Sequence, residues 1–313
     1  MWTKYFTFLY LLIAVTAVNA QGKNPLLADP TIFEYKDVYY LYGTKGDNTI
    51  KGEGFQVYTS TDLKKWKRPD NSNGFALKKG DVYGTKGFWA PQVFERDGKF
   101  YMAYTANEQI AIAVADSPLG PFKNDGKPLA SDVRQIDPFI FFDNGKIYMY
   151  HVRLENGNRI FVAEMEKDLS GIKPGTLNEC IHATEPWEDT QKVDWTVTEG
   201  PTVSKKGDLY YLIYSANDFR NKDYAVGYAT SKSPSGPWTK SDNDPIISRD
   251  KIKYPGTGHG DVFYDKDGEM FYVFHTHFSE SEVAPRKTAI IPLSLKNGDL
   301  NVAKGKNIIW LVI

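Results

Sequence analysis

The sequence predicts an all-β chain folded as a five-bladed propeller with four antiparallel strands per blade. Three observations carry this: a fivefold internal repeat, a tight turn of Asp-Gly, Asn-Gly or a close variant in every repeat, and no helical periodicity between repeats. The first copy is Asp29-Pro30-Thr31-Ile32-Phe33, a turn at Tyr35-Lys36-Asp37 and a return through Val38-Tyr39-Tyr40-Leu41-Tyr42. The second begins at Ala90-Pro91 and turns at Asp97-Gly98; the third begins at Asp137-Pro138 and turns at Asn144-Gly145. The fourth runs from Val197-Thr198-Glu199-Gly200-Pro201 through Gly207-Asp208 to Leu209-Tyr210-Tyr211-Leu212, and the fifth from Gly260-Asp261 through Asp267-Gly268. Asp, Asn and Gly tolerate the positive φ that two-residue hairpin turns need. The return strands are continuously apolar and aromatic, as in strands buried on both faces. Counted from Pro30, the equivalent positions are Pro91, Pro138, Pro201 and Asp261.

Each copy has a second half, at residues 56–63, 110–117, 159–163, 225–231 and 288–293. A β-sandwich with Tyr-rich strands is the alternative, but both halves recur in register, as propeller blades do. Residues 307–313 are expected to supply an outer strand that closes the last blade, and residues 21–313 to form one domain.

Hydrophobic residues make up 41 % of the 313, enough for a large core, and aromatics 14 %. The 38 basic and 39 acidic residues nearly cancel. That argues against nucleic acid or an anionic membrane as partner, since both call for a basic surface, and suits neutral ligands with flat apolar faces, such as sugars. Lys4, the apolar run 6–18 and the small residues of Val18-Asn19-Ala20 read as a signal peptide cleaved after Ala20. The run is shorter than the roughly 20 residues that span a bilayer. No cysteine follows the cleavage site to carry a lipid, and the single cysteine, Cys180, has no internal partner. The protein is therefore expected to be exported, to the periplasm or beyond, without a membrane anchor, and to take its stability from packing.

The innermost strands of a propeller surround a central channel, so residues at their starts meet on one face though far apart in sequence. Here those positions hold Asp29, Trp89-Ala90, Asp137, Glu199 and His259-Gly260. A single Asp before a strand commonly bonds nearby backbone. Three carboxylates at one channel mouth repel one another and perturb one another's pKa, an arrangement that chemistry or a cation calls for. Glycoside cleavage needs one carboxyl protonated near neutral pH and another ionised. Glu199 stands two residues before its proline, whereas Asp29 and Asp137 directly precede theirs. Its longer side chain and offset suit the proton donor.

Taken in order, Asp29-Pro30, Trp89-Ala90-Pro91, Ile136-Asp137-Pro138, Glu199-Gly200-Pro201 and Gly258-His259-Gly260 resemble the signature of glycoside hydrolase family 43, across the whole mature chain. The resemblance implies an inverting mechanism with Asp29 as general base, Glu199 as general acid and Asp137 raising the pKa of Glu199 and orienting it. His259 matches a histidine that in many members sits near the axis, often with a bound calcium or other ion; no cofactor is otherwise required. Inversion calls for the two carboxyls to stand about 6.5–9.5 Å apart, with room for a water.

Trp89 is a candidate sugar platform, with blade packing like that of Trp66 or Trp238 as the alternative. Arg286, just before the third strand of blade five, could bond sugar hydroxyls through its planar fork, or be a plain surface arginine. His275 could line the pocket or end a strand, and His277 reads as a strand-end residue. Trp187, Trp195 and Phe219 flank blade four, where they would shape the leaving-group side, and Cys180 reads as structural. The function expected is an exo-acting α-L-arabinofuranosidase on plant-cell-wall pentose glycans, because the family's typical β-xylosidases carry an additional C-terminal sandwich domain. A β-xylosidase and an endo-acting arabinanase or xylanase are the alternatives within the family. A non-catalytic carbohydrate-binding propeller is the alternative of another class, but it need not keep all three acids. The expected partner is an oligo- or polysaccharide, met by a monomer.

Overall fold

The computed structural model describes residues 23–45, 53–70 and 74–313; the predicted leader, residues 1–20, lies outside the described residues. Blade one holds β1 (Leu27–Tyr35), β2 (Val38–Lys45) and β4 (Tyr58–Ser60), beside the short pair β3 (Gly54–Gln56) and β5 (Phe75–Lys78). Blade two is β6 (Trp89–Arg96), β7 (Lys99–Ala106) and β8 (Gln109–Ala115). Blade three comprises β9 (Gln135–Asp143), β10 (Lys146–Leu154), β11 (Asn158–Glu164) and β12 (Asn178–Ile181). Blade four comprises β13 (Thr198–Lys206), β14 (Leu209–Ala216), β15 (Ala225–Ser231) and β16 (Thr239–Lys240). Blade five holds β17 (Gly258–Tyr264), β18 (Met270–Thr276), β19 (Lys287–Lys296) and β20 (Asp299–Val302), and β21 (Ile309–Trp310) pairs with β19.

The fold is the expected five-bladed propeller, though the fourth strand is reduced to single bridges in blades one and two, Thr59 to Lys67 and Val114 to Lys123. Both ladders stop for a physical reason. Two residues past Lys67 stands Pro69, which has no N–H to donate. In blade two the side-chain amide of Asn124 takes the carbonyl of Ile112, the next acceptor along the strand.

Among the described residues, apolar packing divides into five buried clusters, one for each seam between neighbouring blades. The cluster joining blades five and one contains Val273 and Ile290 with Leu27, Leu41 and Trp66. Polar bonds hold the same closure. Asn24 donates to the carbonyls of Thr288 (2.8 Å) and Leu311 (3.2 Å) and accepts from the Thr288 amide (2.9 Å). Beyond β21 the chain continues to blade one, where the Trp66 amide donates to the Val312 carbonyl at 2.7 Å. The closing strand expected at 307–313 is therefore present and reaches one blade further.

Every inner hairpin breaks register at the same place: in β1 between Ala28 and Thr31, in β6 between Trp89 and Gln92, in β13 between Glu199 and Thr202 and in β17 between Gly258 and Asp261. In blade three the shift is seen from β10, between Tyr150 and Val152. At each break one residue has positive φ: Asp29 at 45°, Ala90 at 45°, Asp137 at 56°, Gly200 at 60° and His259 at 36°. Pro30, Pro91, Pro138, Pro201 and Gly260 follow them. The place of Pro30 in blade five thus belongs to Gly260, not to Asp261 as the sequence spacing suggested. A Cβ at 260 would lie 1.7 Å from the Val273 carbonyl oxygen, so only glycine fits there.

Candidate active site

The bulged residue turns its amide away from its own ladder and toward the preceding blade. Ala90 N donates to Thr44 Oγ1 (2.9 Å), Asp137 N to Thr105 Oγ1 (2.9 Å) and His259 N to Ser215 Oγ (2.8 Å). Asp29 N donates to His275 Nδ1 (3.1 Å), which joins blade five to blade one. These acceptors occupy one equivalent position on the return strands, and in blade three that position is Val152. Valine has no acceptor. Gly200 N donates instead to the Asp137 carboxylate, Oδ2, at 3.2 Å.

This ring brings the three carboxylates to one cavity of about 600 Å³, whose walls include Asp29, Asp137, Glu199, His259, Trp89 and Arg286. Such a volume encloses a ligand of several rings. Asp29 Oδ1 lies 3.5 Å from His259 Nδ1, 3.5 Å from His275 Nδ1 and 3.4 Å from Arg286 Nη1. Burial alone would raise its pKa, but His259, Arg286, His275 and a hydrogen bond from Thr44 outweigh burial and hold it at about 2. Glu199 sits in the opposite environment. Burial pushes its pKa up to about 7, with Asp29 and Asp218 adding to the rise, against hydrogen bonds that Tyr224 (to Oε1, 2.8 Å) and Asn158 (to Oε2, 3.1 Å) donate. Asp137 is also raised well above the usual carboxylate range, by burial and by the charges of Glu199 and Asp29.

His259 Nδ1 stands between two of the acids, 3.5 Å from Asp29 and 3.8 Å from Asp137. Its ring fills the space that a Cβ on Gly200 would occupy, 2.7 Å from Cδ2, so Gly200 is needed for its φ and for the imidazole. Among the described residues no group of three His, Cys, Asp or Glu side chains could hold a metal ion.

Arg286 is buried rather than a surface arginine, with its guanidinium carbon 4.7 Å from the centre of the Phe219 ring. Phe219 forms part of the cavity wall, and His277 fixes its loop by a 2.8 Å contact from Nε2 to the Phe219 carbonyl. His277 is thus more than a strand-end residue: it is buried, and its ring fills the space that a Cβ on Gly256 would occupy. His275 lies fully buried beneath Asp29. Trp195 reaches the cavity, whereas Trp187 packs against Tyr214 in the seam between blades three and four. Cys180 is packed in the seam between blades three and four.

Sequence reasoning missed Asn158 and Tyr224, the two donors to Glu199. Both were within reach of the logic that found Arg286. Asn158 begins the third strand of blade three and Tyr224 immediately precedes that of blade four, just as Arg286 precedes that of blade five.

Residues 23–300 match the family model for glycosyl hydrolases family 43. The chain belongs to this family. Members hydrolyse O-glycosyl bonds, and so does this enzyme. It is similar to an endo-1,4-β-xylanase structure from Bacteroides thetaiotaomicron, with 42 % identity, a TM-score of 0.85, and coverage of 92 % of this chain and 97 % of that one. A thermostable family-43 glycoside hydrolase superposes at a TM-score of 0.82 with 36 % identity, over 92 % of this chain and 96 % of the other. A non-reducing-end α-L-arabinofuranosidase from Bacteroides ovatus is 28 % identical over 80 % of this chain and 46 % of its own length. The chain thus spans less than half of that relative. No helix among the described residues is long and apolar enough to cross a membrane.

Proposed function

We propose that this family 43 enzyme is an inverting pentosidase in which Glu199 is the general acid and Asp29 the general base. The observation that carries the reading is the opposite tuning of two carboxyls on one cavity: Asp29 is held at about 2 and Glu199 near 7. Between those values Asp29 is ionised and Glu199 protonated. Water attacks the anomeric carbon and gives its proton to Asp29 as the bond to the glycosidic oxygen breaks. Glu199 gives that oxygen its proton and is left ionised; exchange with solvent restores both. Asp137 accepts the Gly200 amide, next in the chain to Glu199, and its own pKa is raised by burial and by the charges of Glu199 and Asp29. Arg286, Trp89 and Phe219 would hold the sugar, Trp89 by its indole face.

Terminal α-L-arabinofuranosyl units are the first candidate substrate, supported by the likeness to the Bacteroides ovatus arabinofuranosidase. A second reading, action on xylan, is favoured by the higher identity to the Bacteroides thetaiotaomicron endo-xylanase. Export follows from the leader-like residues 1–20 and accords with the extracellular endo-arabinanase of Thermotoga petrophila among the relatives. Release of 4-nitrophenol from the α-L-arabinofuranoside and the β-D-xyloside separates the two substrates. Glu199→Ala and Asp29→Ala should each lower kcat about 100-fold or more. Undiminished rates in both would remove the site assignment.

A further inference from the structure

The indole of Trp195 sits at the cavity, 46 % exposed, with its nitrogen tied down. Trp195 Nε1 donates to Asn158 Oδ1 at 2.8 Å, and Asn158 Nδ2 donates to Glu199 Oε2 at 3.1 Å. The backbone holds both ends of this relay. Asn158 N donates to the Thr196 carbonyl at 2.8 Å, the Thr198 hydroxyl donates to the Asn158 carbonyl at 3.1 Å, and Asn158 and Val197 form a parallel bridge. Trp195 and Glu199 thus flank one short segment, and the Asn158 amide spans them.

An indole N–H can only donate, so it selects the face of the amide it meets. It binds the oxygen and thereby turns the NH₂ group toward Glu199. An NH₂ group cannot take a proton from a carboxylic acid. Turned over, the amide would offer its carbonyl oxygen to Glu199, accept the acid's hydrogen and draw it away from the glycosidic oxygen.

We infer that Trp195 and Asn158 form a positioning relay which keeps the Glu199 proton directed at the substrate, and that the exposed Trp195 ring is the platform for the sugar on the leaving-group side. The inference rests on Glu199 being the general acid. A pentose residue stacked on Trp195 shields the Nε1–Oδ1 bond from water, so occupancy of that subsite and readiness of the acid are linked through one amide. The relay forms no bond of its own: the proton still passes from Glu199 to the leaving oxygen.

The test compares methyl and 2,4-dinitrophenyl glycosides of the pentose that the wild-type enzyme cleaves, using Trp195→Phe, Asn158→Ala and Glu199→Gln. A dinitrophenolate departs with little protonation and a methoxide does not. Trp195→Phe keeps a ring and removes the N–H. It should lose about tenfold in kcat on the methyl glycoside and less than about twofold on the dinitrophenyl glycoside, since loss of general-acid help costs on the order of 10²–10⁴ when complete. Asn158→Ala should show the same split, larger. In both variants the alkaline limb of the pH profile should move to higher pH, because a donor that favoured the ionised acid is gone. Equal losses on the two substrates with an unmoved limb would overturn the relay. Glu199→Gln separates the levels: a selective loss on the methyl glycoside there, without one in the other two variants, sinks the relay alone. A wild-type rate on the methyl glycoside in Glu199→Gln would sink the acid assignment beneath it.

Discussion

Asp29 and Glu199 present the same functional group to one cavity, and their neighbours drive them apart. Arg286 and two imidazoles surround Asp29, whereas the hydrogen bonds to Glu199 come from a hydroxyl and an amide, and the charges of Asp29 and Asp218 add to its rise. The separation affects stability as well as chemistry. The folded pKa of Glu199, about 7, stands above its ordinary value of 4.5, so folding penalises the ionised form. That penalty is absent below about pH 4.5, grows as pH rises, and is complete above about 7. Glu199→Gln should therefore raise Tm at pH 8, by an amount equivalent to roughly 3 kcal/mol, and do nothing at pH 4. Thermal unfolding at the two pH values checks this; an equal effect at both would show that Glu199 is not held protonated by the fold. At this scale the three acids were legible because each stands at the start of a repeat. Asn158 and Tyr224 stand at third-strand starts, as Arg286 does, but an amide and a phenol there lack the charge that drew attention to Arg286.

At the scale of the strand, the bulge makes the site. A regular β-strand would send Asp29 and Asp137 into the seams; the left-handed residue turns them toward the axis and frees an amide that the preceding blade must satisfy. The four blades that supply an acceptor leave their neighbour's side chain free for other tasks. The one that does not, at Val152, commits Asp137 to Gly200. Val152→Thr would put a hydroxyl where the Gly200 amide can use it and release the Asp137 carboxylate. Its kcat should fall about tenfold, the scale of one hydrogen bond to a charged group. Val152→Ala, which offers no acceptor, should keep kcat while losing stability. Equal kcat in the two variants would mean that the Gly200 bond does not position Asp137. The prolines marked four of the five bulges in the sequence. The fifth was misplaced by one residue because glycine does the same work there for a different reason, the approach of the Val273 carbonyl.

Across the whole molecule, the site exists because the circle closes. Asp29 is in the first blade, and the three ring and guanidinium groups that hold its pKa down, those of His259, His275 and Arg286, all come from the fifth. The seam between these blades is fastened at Asn24, whose side chain serves Thr288, two residues from Arg286. Asn24→Ala leaves the Thr288 amide unpaired and should cost about 2 kcal/mol, seen as a lower Tm; an unchanged Tm would show that the closure is held elsewhere. The fivefold repeat made the circle legible. The short outer strands of blades one and two were not, because Pro69 and Asn124 end those ladders through local chemistry that a repeat does not encode.

The central claim is that Asp29 activates a water across the sugar from Glu199. The configuration of the first-formed reducing sugar tests it most directly, followed by proton NMR during hydrolysis of the aryl glycoside that the enzyme cleaves. A carboxylate acting through water inverts the anomeric carbon, so the product should appear with the configuration opposite to the substrate's and then mutarotate. Initial release of the retained anomer would mean that a carboxylate attacks carbon directly, and would contradict the roles given to both residues.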